Sequence, residues 1–93
     1  MGKYRLIISQ NAEKHLSQIK KSGNKAAMKK ISELFIELAE HPQTGTGKPE
    51  PLKHEFQGAW SRRIDKKSRI VYRIDEEQSI VSISDILGHY GDK

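Results

Sequence analysis

The chain contains no cysteine. Disulfides, thiolate metal sites and a thiolate nucleophile are therefore excluded. The absence is compatible with a reducing cytoplasm, which is the location expected. No run approaches the roughly 18 consecutive apolar residues of a membrane span. The opening MGKYRLIISQ lacks the apolar stretch of a secretory signal. Leu6 stands where a myristoylation signal needs Ser or Thr, so no lipid anchor and no membrane partner are expected. Acidic residues are also in short supply, 12 against 17 Lys and Arg. The resulting net charge of +5 and pI near 9.6 point first to a polyanion: nucleic acid, the ribosome or an acidic protein. A surface charged only for solubility would show the same balance.

The 93 residues, 34% of them hydrophobic, are expected to form one domain, residues 1–93. A chain of this length buries roughly 60–65% of its unfolded surface, enough for one thin core. A buried cofactor cavity beside a second domain would not fit, and no cofactor is expected.

Tyr4 to Ile8 is a short apolar, β-branched run and reads as a strand. Ser9 and Asn11 are candidate caps for a helix over residues 12–21, where Ala12, Leu16 and Ile19 fall at helical spacing. Ser22-Gly23-Asn24 interrupts it. A second helix is expected from about Lys25 to Glu40, with Ala27, Met28, Ile31, Leu34, Phe35 and Leu38 as its apolar stripe. Pro42 disfavours helical geometry at His41 and ends it. Residues 42–53 read as a loop. Three alternating segments follow: Trp60 to Asp65, Arg69 to Ile74 and Ser79 to Ile86, joined by short turns. The order is β-α-α-β-meander, an α+β design with two helices on one face of a mostly antiparallel sheet.

The chemistry concentrates in residues 45–69, GTGKPEPLKHEFQGAWSRRIDKKSR, and in the terminal GHYGDK. Glu50 lies in Lys48-Pro49-Glu50-Pro51, where each proline stiffens the backbone before and at its own position. Rigid presentation suits a general base, since geometry comes before pKa. A surface glutamate in a proline-rich turn would have the same sequence. Six cations follow between residues 62 and 73: Arg62, Arg63, Lys66, Lys67, Arg69 and Arg73. Arg69 and Arg73 share one face of a strand. Arginines on a sheet face suit phosphate through their planar fork, although a solvated charged face would look alike. Trp60, Phe56 and Tyr72 offer rings for stacking, with core packing the simpler role for Trp60 and Tyr72. A histidine is the natural proton donor near neutral pH, but position alone does not choose between His54 and His89. No two histidines stand at a recognised metal-ligand spacing, and GTGK lacks the spacing of a phosphate loop.

These residues resemble the YoeB/Txe family of toxins, within the RelE-type superfamily of ribosome-dependent mRNA endonucleases. The stretches that carry the likeness are GKPEPLKHEFQGAWSRRID, SRIVYRI and the late HY. The order of elements agrees over the whole chain. The resemblance implies a type II toxin that cleaves mRNA at the ribosomal A-site codon and so inhibits translation, without a metal. It places the general base on Glu50, the phosphate-contacting arginine on Arg69 and the general acid on His89. Tyr90, Arg63 and Lys53 fall on substrate-binding positions. One departure is the tail Gly91, Asp92 and Lys93, which continues past the point where some members end.

The resemblance also implies partners: an acidic, partly disordered cognate antitoxin, the ribosome and its mRNA, and operator DNA reached through the antitoxin complex. It allows a homodimer without requiring one. Two alternatives stay open at the level of sequence. The superfamily's fold also hosts toxins that inhibit a topoisomerase by protein contact. A basic module that binds RNA or the ribosome without cutting would share the charge.

Overall fold

Two capping side chains order the N-terminal half. The computed structural model describes residues 3–43, 49–52 and 58–87. Strand β1 covers Arg5–Ile8 and is followed at once by helix α1, Gln10–Lys21. Ser9 is extended, and its Oγ accepts the Ala12 N–H at 3.0 Å. The same hydroxyl donates to the Ser84 carbonyl at 2.8 Å, so the cap also fixes the helix to the sheet. Of the two candidate caps, Ser9 is the one used, and α1 starts two residues before the apolar spacing suggested. Gly23, at φ +79, reverses the chain after α1. Asn24 then caps helix α2, Lys25–Glu40, accepting the Ala27 N–H at 3.0 Å.

The helical faces expected from spacing are those buried. Ala12 and Ile19 of α1 join Ala27, Ile31, Leu34 and Leu38 of α2. They pack on Ile64, Ile70, Tyr72, Val81, Ile83 and Ile86 from the sheet. Met28, Phe35 and Trp60 pack against this cluster.

The described sheet contains β1, then β2 (Glu50–Pro51), β3 (Trp60–Arg63), β4 (Arg69–Asp75) and β5 (Ile80–Leu87). Their spatial order is β1-β5-β4-β3-β2. Every neighbouring pair is antiparallel except β1 with β5. That parallel pair is available because the intervening chain supplies the long crossover it needs. The β-meander turns are held by their leading aspartates. Asp65 Oδ1 accepts the Lys67 and Ser68 N–H groups at 2.9 and 2.8 Å, and Asp75 Oδ1 accepts that of Gln78 at 3.1 Å.

Two differences from the sequence expectation matter. The stretch expected to be a loop contains β2, where Glu50 pairs with Ser61 and Pro51 with Trp60. A two-residue strand carries no alternation, so nothing local announces it. The β4–β5 ladder also shifts register: Val71 faces Asp85 while Tyr72 faces Ile83, leaving Ser84 as an extra residue. This bulge lets Ile83 and Ile86, an odd number of residues apart, both enter the core.

Candidate active site on the outer face of the sheet

Alternation along each strand sends one set of side chains into the core and the other to the outer face, away from the helices. On β4, Ile70 and Tyr72 are core residues, so Arg69, Val71 and Arg73 belong to the outer face. On β3, Arg62 points into the core, which leaves Ser61 and Arg63 outside. Glu50 pairs with Ser61 and shares its face.

The register then sets the geometry of the candidate residues. Glu50, Ser61, Val71 and Asp85 form one row across four strands. Arg63, Arg69 and Leu87 form another, two residues along. Glu50 and Arg69 are thus separated by two strand spacings and a two-residue offset, about 12 Å between Cα atoms. Ser61 stands between them with a small side chain and is buried, at 2% exposure. Glu50 and Arg63 are exposed, and Arg69 is half-buried. Glu50, Arg63 and Arg69 therefore share the outer face around Ser61 and Val71, both of which are buried. That arrangement can seat a phosphodiester between an acceptor of protons and a group that neutralises charge.

Arg73 lies on the same outer face further along β4. Its guanidinium covers Gly58, where an added Cβ would come within 3.1 Å of Nη1. Gly58 also has φ +91, so its backbone favours glycine, and for any larger residue the Arg73 guanidinium would have to give way by a few tenths of an ångström. Lys66 and Lys67 are exposed in the β3–β4 turn.

Arg62 does not belong to this cationic face. It stands in the run of six cations, but it is completely buried on the helix side, on the face it shares with Trp60 and Ile64. Its Nη1 donates to Glu37 Oε1 at 2.8 Å, its Nη2 to the His41 carbonyl, and its Nε to the Tyr72 hydroxyl at 3.4 Å. Tyr72 in turn donates to the Pro42 carbonyl at 2.6 Å. Burial raises the Tyr72 pKa above its ordinary value, and the Arg62 cation partly offsets that rise. The signal for Arg62's placement was present in the sequence: it alternates in step with Trp60 and Ile64.

Among the residues selected from sequence, Glu50, Arg69 and Arg63 come together on one face. Lys53, His89 and Tyr90 lie outside the described residues, as does His54, so the structure describes no acid partner for Glu50. Ser61, which sequence reasoning passed over, is the residue that spaces Glu50 from Arg69.

The profile of a YoeB-like toxin of bacterial type II toxin–antitoxin systems matches residues 9–90. The chain belongs to this family. Toxin YoeB of Escherichia coli (strain K12) is 42% identical over 59 residues, which cover 63% of this chain and 70% of that protein. A YoeB/ParE toxin from Agrobacterium tumefaciens superimposes with a TM-score of 0.83 at 29% identity, covering 92% of this chain and 99% of its own. The toxin of a YoeB–YefM complex from Staphylococcus aureus gives 0.79 at 32% identity, with 94% and 98% covered. The YoeB-like fold thus extends over nearly the whole chain, with the helical layer on one side of the sheet and the Glu50–Arg69 face on the other.

Proposed function

We propose that this YoeB-like toxin is a ribosome-dependent mRNA endonuclease that cuts at the A-site codon by acid–base chemistry. The observation that carries the proposal is the placement of Glu50 and Arg69 on one sheet face, on either side of Ser61. Glu50 takes the proton of a ribose 2′-hydroxyl. The freed oxygen forms a bond to the adjacent phosphorus while the bond from phosphorus to the 5′-oxygen breaks. Arg69 neutralises charge that builds on the phosphorane oxygens. His89 returns a proton to the leaving 5′-oxygen. Tyr90, Arg63 and Lys53 hold the RNA, and the ribosome fixes the message in place.

The products carry a 2′,3′-cyclic phosphate and a 5′-hydroxyl. No metal takes part in this scheme. By the same proposal, the protein acts in the cytoplasm, where translation runs. The Staphylococcus aureus relative is seen with YefM, and a cognate antitoxin of acidic, partly disordered character is proposed here too. That partner would also carry the pair to operator DNA. Analysis of RNA ends tests the chemistry: cyclic phosphate and 5′-hydroxyl ends support it. Growth arrest with uncut RNA would instead indicate inhibition by protein contact.

A further inference from the structure

Among the described residues, Glu50 takes its position from strand β2. That strand has two residues, and among the described residues its ladder is with β3. Pro51 has no N–H to give, so the pairing is completed next door, where the Leu52 N–H donates to the Ala59 carbonyl at 2.8 Å. What holds β3 therefore helps to hold Glu50.

Arg62 is the central core-facing residue of β3, between Ser61, which pairs with Glu50, and Arg63, which pairs with Arg69. Its fork grips the last turn of α2 through Glu37 and the His41 carbonyl. Through the Tyr72 hydroxyl it also reaches the Pro42 carbonyl. His41 and Pro42 are where the chain leaves α2 on its way to Glu50. One guanidinium thus ties the departure point of that connection to β3, the strand with which β2 pairs. Taking an arginine out of water is costly, and apolar residues of similar size are often as stable or more so in its place. An apolar residue cannot set the spacing between a carboxylate, two main-chain carbonyls and a strand.

We propose that Arg62, working with Tyr72 and Glu37, is a positioning residue that holds Glu50 in register for proton abstraction. The inference rests on the catalytic role proposed above for Glu50. A clamp that acts only through Glu50 has no effect once that carboxylate is gone, whereas a residue that merely keeps the protein folded still matters.

The experiment is a set of double-mutant cycles read by single-turnover cleavage on mRNA-programmed ribosomes. Tyr72→Phe and Arg62→Lys are each made in the native chain and in Glu50→Ala, with thermal midpoints checked to lie above the assay temperature. In the native chain each lowers the maximal rate about tenfold, with the half-saturating concentration unchanged. In Glu50→Ala neither lowers it further. Equal losses in both backgrounds, or full rates in the native background, overturn the inference and leave the role of Glu50 standing. A Glu50→Ala chain that cleaves at the native rate overturns the role of Glu50 itself, and this inference with it. Glu37→Gln, at a partly exposed position, provides the same cycle should either variant fail to fold.

Discussion

Glu50 and Arg69 flank strand β3 from opposite sides, two residues out of step, with both side chains on the outer face. Neither touches the other in sequence or across a shared ladder. Their relationship exists only because β2 and β4 both pair with β3, and it divides the labour among the surrounding cations. Arg69 sits on an interior strand and is half-buried, whereas Arg63 is exposed beside it. Arg69→Ala is therefore expected to lower the maximal cleavage rate by about a hundredfold or more, as loss of a transition-state contact does. Arg63→Ala is expected to act on binding, reducing the salt dependence of ribosome affinity by about one unit of log–log slope. Titrations at several salt concentrations separate the two. A pure rate effect from Arg63→Ala would show that the roles are reversed.

The hydroxyl of Ser9 serves two elements at once, capping α1 and bonding to the Ser84 carbonyl on the bulge of β5. Asn24 caps α2 alone. Ser9→Ala is expected to cost about 2 kcal/mol, against about 1 kcal/mol for Asn24→Ala, since a cap contributes about 1 and a further hydrogen bond about as much. Urea unfolding of the two variants measures the difference. Equal losses would mean that the bond to Ser84 contributes nothing.

How much of this was legible before the structure depends on range. Helix α2 was readable from end to end because Asn24, the apolar stripe and Pro42 are all local signals. The strands β3, β4 and β5 showed their alternation. Strand β2 did not, since two residues, one of them a proline, have no period and their pairing with Ser61 and Trp60 is a long-range event. The parallel seat of β1 beside β5 was equally invisible in the local pattern. Arg62 is a different case. Its position in the alternation placed it inward, but an arginine in a run of cations looks like surface, and its partners Glu37 and His41 lie 25 and 21 residues away. For the candidate site, rigidity and charge offered Glu50 beside a plain surface glutamate and Arg69 together with Arg73, and family resemblance selected Glu50 and Arg69. Their common face came from the sheet, and the choice of His89 over His54 came only from family resemblance.

Gly58 provides a test of the outer face itself. Its positive φ and the Arg73 guanidinium 3.1 Å from a would-be Cβ both oppose a side chain. Gly58→Ala is expected to cost about 1–2 kcal/mol from the backbone alone. For a chain this short that lowers the thermal midpoint by about 4–8 °C for each kcal/mol. An unchanged midpoint would mean that the segment entering β3 relaxes freely.

Alkaline stability should report on the Tyr72 hydroxyl. Its folded pKa is raised by burial, with Arg62 opposing. The folded state therefore keeps the phenol proton to higher pH than the unfolded state does. The contribution is fully present below the unfolded pKa of about 10 and is lost as the pH climbs through the folded value. Tyr72→Phe is expected to show a shallower fall in stability above pH 10 than the native chain. Parallel urea titrations at pH 9 and above measure it, and identical slopes would place the hydroxyl outside the titrating network.

The most direct measurement is primer extension on an mRNA held in ribosomes, with the native chain, with Glu50→Ala and with no protein. The expected result is a new cut at the A-site codon that appears with the native chain and is lost with Glu50→Ala. An uncut message beside the native chain, or a cut that persists in Glu50→Ala, would contradict the assignment of Glu50 as the base of an mRNA endonuclease.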